Sequence, residues 1–257
     1  IEMTMKIHFT SSNSKEALSL KSKYCELYNQ ANLREADVIV AIGGDGEMLK
    51  ALRLAIKNNS SVFGLNKGHI GFLMNKINKT NLIKRINKAS QLTVHPLEME
   101  CFDHKGKKQT FLGINEISLF RNTNQSSIIS ISVDGVERLR DLYCDGILVS
   151  TPVGSTAYNY SAKGPIIPLK SDILALTPIS PFRPRNWQGA LLNNNSIVTF
   201  TIKNPEYRPV NASADSEEVK NIKKVVIKLR KDINIKLLHD PEDNMENRHL
   251  KEQFLID

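Results

Sequence analysis

The spacing of apolar residues changes near Gln91, and the change divides the chain. Before it, short apolar runs alternate with segments of helical period. Lys6 to Phe9 opens a strand, Thr10-Ser-Ser-Asn-Ser14 offers hydroxyl and amide caps, and Lys15 to Ala31 predicts an amphipathic helix. Val38 to Ile42 is apolar without alternation, the pattern of a strand buried on both faces of a parallel sheet. Met48, Leu49, Leu52, Ala55 and Ile56 then recur at helical spacing. A short strand follows over Ser61 to Leu65, then a glycine-rich loop over 66–72 and a helix over Lys79 to Ala89. Such a strand–helix series predicts a parallel, doubly wound sheet.

Beyond Gln91 the runs become short, alternating and rich in β-branched residues, broken by turn clusters such as Asp103-His-Lys-Gly106 and Asp134-Gly135. Residues 128–140 read as a hairpin around the second of these. Ser196 to Lys203, Val219 to Leu229 and Ile233 to Leu238 continue in kind, which predicts a mostly antiparallel, β-rich sandwich. The expected organisation is therefore an α/β domain over 1–92, a β-rich domain over 93–238 and a polar tail over 239–257. The lysine runs Lys220-Asn-Ile-Lys-Lys224 and Lys228-Leu-Arg-Lys231 read as solvated strand edges, where lysine blunts unwanted pairing.

Composition narrows the choice of partners. The net charge of +8 invites a nucleic-acid reading, but the lysines are scattered and aromatic residues are only 6%, with no base-stacking motif. An anionic small ligand is the better expectation, with no nucleic acid. No run approaches the roughly 18 to 20 apolar residues needed to span a membrane, and no leader pattern is seen, so a cytoplasmic protein is expected. Cys25, Cys101 and Cys144 are far apart and have no histidine companions at ligand spacing, which predicts free thiols and no protein-held metal.

Three segments carry candidate chemistry. In Gly43-Gly44-Asp45-Gly46 a buried strand hands a carboxylate to a helix start through glycines, which let a ligand approach the backbone where free N–H groups attract anions. Ligands of open α/β sheets bind at such junctions. Asp-Gly is also an ordinary turn dipeptide; two glycines before it at a buried strand end cost stability without an evident packing gain. In Gly113-Ile-Asn-Glu-Ile-Ser-Leu119 an amide and a carboxylate, Asn115 and Glu116, interrupt a strand-like alternation and suit ring nitrogens, amino groups or ribose hydroxyls; a solvated strand edge is the alternative. Tyr143 to Ser161 places Asp145 before the apolar Ile147 to Val149 and then a small, hydroxyl-rich turn, Ser150-Thr-Pro-Val-Gly-Ser-Thr-Ala-Tyr158. It lacks G-x-S-x-G spacing and a nearby histidine, so a serine hydrolase is not expected. The first strand–helix turn likewise lacks the G-x-G-x-x-G of ordinary dinucleotide folds.

Taken together, these segments resemble the NAD kinase family in order and spacing over nearly the whole chain, and Thr156-Ala-Tyr-Asn-Tyr-Ser-Ala-Lys-Gly-Pro-Ile-Ile-Pro168 is similar to its short bacterial branch. The turn alone is also similar to lipid kinases and phosphofructokinases. The resemblance implies an α/β amino-terminal domain, a β-rich carboxyl-terminal domain, a tail that returns to the first, and dimers or tetramers. It implies ATP and NAD as substrates, Mg²⁺ arriving with ATP, and Asp45 as the base that activates the 2′-hydroxyl of the adenosine ribose. Gly44 and Gly46 would admit phosphates, Asn115 and Glu116 would hold an adenine or ribose edge, and Asp145 the nicotinamide end. Thr156, Ala157, Tyr158, Asn159, Tyr160 and Ser161 would line the adenosine pocket, with Phe72 packed on the ligand. Lys50 is either a phosphate ligand or a solvated lysine, and His69 is a loop histidine before it is a catalytic acid. Glu47 after the turn and Asp215-Ser216 in place of the family's Asp-Gly depart from the pattern, leaving the roles of Glu47, Asp215 and Glu217 open. The rival readings are a related lipid or sugar kinase and a non-catalytic NAD-binding regulator.

Overall fold

The computed structural model describes residues 5–67, 71–78, 80–242 and 245–254. The chain forms two compact units, one holding it up to Val94 and again from Ile233, the other His95–Asp232.

In the first unit β1 (Ile7–Ser11), β2 (Val38–Gly43) and β3 (Ser61–Asn66) run parallel, with β2 in the middle. Every residue of β2 is buried, which is why its sequence shows no alternation. α1 (Lys15–Tyr28) starts where the Ser14 side chain accepts the Ala17 N–H at 3.2 Å. It stops three residues short of the predicted end because Asn29 turns into positive φ (59°). α2 (Asp45–Asn58) buries Met48, Ala51, Leu52 and Ala55. Successive strand residues face opposite sides. Phe63 and Leu65 of β3 join a cluster with Ala17 and Ile86, whereas a β-carbon on the intervening Gly64 would lie 2.4 Å from the Met48 methyl. Helices therefore cover both faces, and the doubly wound reading holds. α3 (Leu82–Lys88) begins later than the predicted Lys79 because Asn81 caps it, accepting the Lys84 N–H at 3.1 Å; Lys79 lies outside the described residues. β4 (Ser90–Val94) closes this part of the chain.

The second unit is a sandwich of two six-stranded antiparallel sheets. Its strands are β5 (Leu97–Asp103), β6 (Lys108–Gly113), β7 (Glu116–Arg121), β8 (Ser127–Val133), β9 (Val136–Cys144), β10 (Gly146–Ser150), β11 (Ile173–Ile179), β12 (Ala190–Asn193), β13 (Val198–Ile202), β14 (Val210–Ala214), β15 (Glu217–Val219) and β16 (Ile222–Leu229). One sheet is ordered β12-β11-β10-β7-β14-β15 and the other β6-β5-β16-β13-β8-β9. Their inner faces share one apolar core that includes Met99, Leu119, Val149, Phe200 and Val225. The hairpin at Asp134-Gly135 forms as predicted, both residues taking positive φ (53° and 79°), the geometry of a type I′ turn.

Two expectations are corrected. β16 pairs with both β5 and β13, so Lys223 and Lys224 stand exposed on an interior strand and do not guard an edge. The segment after Ile233 leaves the β-rich unit: β17 (Ile235–His239) pairs parallel with β3 and antiparallel with β4, giving the sheet β1-β2-β3-β17-β4. Its apolar residues Ile235, Leu237 and Leu238 are buried as those of β2 are, and only its closeness in sequence to the sandwich strands had grouped it with them. α5 (Met245–Glu252) follows in the first unit.

Candidate active site

In the first unit the candidate chemistry gathers where β2 hands over to α2. Gly44 caps the helix in an extended conformation without a side-chain bond, and Asp45 is the first helical residue. A β-carbon on Gly43 would crowd Glu47 Cβ and Ser12 Oγ, each at 3.1 Å, so this glycine is needed for the strand to meet the helix start. At Gly46 a β-carbon would meet nothing within 4 Å. The Asp45 carboxylate accepts the N–H of Phe72 at 2.8 Å through Oδ2 and that of Leu73 at 3.0 Å through Oδ1. Burial pushes this carboxyl above its ordinary range; the two N–H donors and the charge of Arg248 pull the other way without cancelling it. Glu47 turns its carboxylate into the protein, where Lys50 Nζ lies 3.5 Å from it while remaining largely exposed. Phe72 thus serves Asp45 through its backbone; His69 lies outside the described residues.

In the second unit the pair Asn115–Glu116 opens β7 and is held by its backbone from both sides. The Asp215 carboxylate, in the β14–β15 turn at φ 49°, accepts the N–H groups of Ile114, Asn115 and Glu116 at 2.8, 2.9 and 3.2 Å. From the other side Thr151 gives its hydroxyl to the Ile114 carbonyl at 2.8 Å and its N–H to that of Asn115 at 2.9 Å. The hydroxyl-rich turn packs directly on this backbone, since a β-carbon on Gly154 would fall 2.1 Å from the Asn115 oxygen. The side chains are in a different condition. Asn115 Oδ1 and Glu116 Oε2 are buried with no hydrogen-bond partner, an arrangement that costs about 1–3 kcal/mol per group. Burial, then the neighbouring Asp215 charge, pushes the Glu116 carboxyl up to about 8.

Burial, then the charges of Glu116 and Asp145, raise the Tyr158 phenol. Asp145, half-buried, receives Arg121 Nε at 2.6 Å. Thr156 and Ala157 are half-buried, while Tyr160 and Ser161 are exposed. Asn159, expected at the ligand, is fully buried, and its amide is engaged within the unit. It donates to the Ser155 and Pro165 carbonyls at 3.1 and 2.8 Å and accepts the Thr177 hydroxyl at 2.7 Å, so it frames the turn. Sequence reasoning left Asp215 without a role and passed over Thr151 and Arg248. All three act on backbone groups, which side-chain patterns do not reveal. Among the described residues no cluster of three or more His, Cys, Asp or Glu is placed to hold a metal ion, and no helix is long and apolar enough to cross a membrane.

Comparison with known proteins matches both units. Residues 2–93 match the ATP-NAD kinase N-terminal domain and residues 114–231 the ATP-NAD kinase C-terminal domain. An NAD kinase of Brucella suis biovar 1 is 44% identical over 253 residues, covering 98% of both chains. One from Mesorhizobium japonicum is 46% identical over 248 residues and covers 96% of both. The fold is shared with yeast NADH kinase complexed with NADH, at a TM-score of 0.81 and 19% identity over 98% of this chain and 88% of that one. It is shared too with an NAD kinase from Archaeoglobus fulgidus in complex with ATP, at a TM-score of 0.78 and 22% identity over 97% and 98%.

Proposed function

The chain belongs to the NAD kinase family, and from that premise we propose how its residues phosphorylate NAD to NADP. Asp45 is the general base, and Asn115 with Glu116 holds the dinucleotide. The observation that carries this reading is the pair of buried, unpartnered atoms, Asn115 Oδ1 and Glu116 Oε2, on a backbone fixed by Asp215 and Thr151. Groups left unsatisfied inside a rigid frame are suited to a polar ligand that completes their bonds.

In the reaction the 2′-hydroxyl oxygen of the adenosine ribose forms a bond to the γ-phosphorus of ATP as the bridging bond to ADP breaks. Asp45 takes the hydroxyl proton and later yields it to water. General-base help of this kind is worth roughly 10²–10⁴-fold, with positioning supplying much of the rest. The glycines of the turn and the N–H groups at the start of α2 receive phosphate oxygens. Lys50, exposed one helical turn on, is free to swing from Glu47 toward a phosphate. Mg²⁺ comes on the ATP phosphates and spreads their negative charge. Asp145 recognises the nicotinamide end in a dimer or tetramer, and Thr156, Ala157, Tyr158, Tyr160 and Ser161 border the adenosine. The protein works in the cytoplasm.

The decisive assay is purified protein with NAD, ATP and Mg²⁺, NADP being read out by an NADP-specific dehydrogenase. Diacylglycerol, a sphingoid base and fructose 6-phosphate serve as competing acceptors; preferential labelling of any of these, or NAD binding without NADP, would overturn the reading. Two variants probe the halves separately. Asn115→Ala leaves the backbone contacts to Asp215 intact and is expected to raise the KM for NAD by about tenfold or more while that for ATP changes little, as removal of a group used only for NAD requires. Gly46→Ala adds a methyl where the protein leaves open space, so it should hold or raise the melting temperature, since alanine is about 0.5–1 kcal/mol better than glycine in a helix. Its kcat/KM should nevertheless fall by about tenfold or more if phosphate occupies that space. A more stable and fully active Gly46→Ala enzyme would place the phosphates elsewhere.

A further inference from the structure

The tail helix reaches the same loop that holds Asp45. α5 buries Met245 and His249, four residues apart on one face, and the neighbouring Arg248 sends Nη1 to the carbonyls of Phe72 and Met74 at 3.0 and 2.7 Å. The N–H groups of Phe72 and Leu73 donate to the two Asp45 oxygens at 2.8 and 3.0 Å. The segment Phe72–Met74 is therefore gripped by its carbonyls from one side and by its amides from the other. Asp45 stands at the N-terminus of α2, and its side-chain direction is set by that loop backbone. Arginine suits the strut: its donors are fixed in a plane and its charge persists at every working pH.

We propose that Arg248 is a positioning residue for phosphoryl transfer, fixing the Phe72–Met74 backbone and through it the Asp45 carboxylate against the acceptor hydroxyl. The proposal rests on the reading of Asp45 as the base and extends it to a residue some two hundred positions away in sequence. Arg248 also favours the ionised carboxylate, against the effect of burial. Phe72, Leu73 and Met74 carry no charge of their own, and on α2 the nearby Glu47 is paired with Lys50.

The test is a cycle of R248Q, R248K, D45N and the double variant D45N/R248Q in the full chain. R248Q should lower kcat by roughly 10- to 100-fold, the loss that follows from misplacing a base by about an ångström, with the KM for NAD changed far less. The acidic limb of its kcat/KM–pH profile should move to higher pH. R248K keeps the charge, so it should leave that limb in place and recover part of kcat. Because Arg248 acts through Asp45, R248Q should add nothing to the loss already present in D45N. Multiplying losses in the double variant, or wild-type kcat in R248Q, would overturn the proposal. If R248Q does not fold, R248M, which keeps the aliphatic stem and removes every donor, takes its place in the cycle with the same two outcomes. The two failures are separable: a fully active D45N removes the base itself, whereas an inactive D45N beside a fully active R248Q removes Arg248 alone.

Discussion

Asp45→Asn is expected to retain the fold and NAD binding and to lose all but about a hundredth to a ten-thousandth of turnover. The substitution is nearly isosteric, and its effects divide along the two jobs of the side chain. One amide oxygen can still accept a single N–H from Phe72 or Leu73, while the amide nitrogen faces the other donor, so the loop anchor is weakened by about 1–2 kcal/mol. Against that, the variant no longer holds a carboxylate in a buried position that disfavours its charge. The melting temperature should therefore move by only a few degrees. Catalysis has no such offset, because an amide cannot take the proton. Asp45→Ala separates the roles further: it removes both acceptors, so it should be less stable than Asp45→Asn yet no slower. NADP formation, NAD calorimetry and melting curves on the pair decide the matter, and near-normal turnover in Asp45→Asn would remove the base role. The raised carboxyl also fixes a sign for the parent enzyme. Only ionised Asp45 accepts a proton, so kcat/KM falls as pH drops through the pKa of the free enzyme, and that limb lies above the usual aspartate range.

What the sequence revealed of this molecule follows from which interactions leave a mark on residue type. The doubly wound half was legible because β2 is buried on both faces and its helices keep a clear period. β17 was not, since a strand that returns to a distant sheet carries the same letters as one that stays with its neighbours. Asp45, Asn115 and Glu116 were readable as polar residues placed where an apolar pattern had no use for them. Asn159 was read as a ligand residue because its turn is rich in ligand-like residues, and its side-chain amide completes the bonds of Ser155, Pro165 and Thr177. Asp215 and Arg248 work on the backbones of residues about a hundred or more positions away, and a backbone N–H or carbonyl has no identity of its own in a sequence.

Glu116→Gln is expected to stabilise the protein on the alkaline side by an amount on the order of a few kcal/mol. The sign follows from proton counting. Burial and Asp215 raise the folded-state pKa of Glu116 from 4.5 to about 8, so between those values the folded protein holds a proton that the unfolded chain has lost. Stability then falls as pH rises across that window, and below it the group contributes nothing to the pH dependence. Glutamine keeps the shape and a hydrogen-bond donor and does not titrate, so wild type and variant should match near pH 4 and diverge through pH 8, with the variant the more stable. The same protonation state has a consequence for the substrate. If the neutral acid donates to NAD, the wild-type KM for NAD should worsen above about pH 8 while Glu116→Gln shows no such rise. Denaturant unfolding at several pH values and NAD kinetics over the same range test both statements. Parallel stability curves for the two proteins would mean that Glu116 titrates alike in the folded and unfolded chain, so that it is ionised at neutral pH and its buried oxygen needs a cationic or strongly donating partner from the ligand.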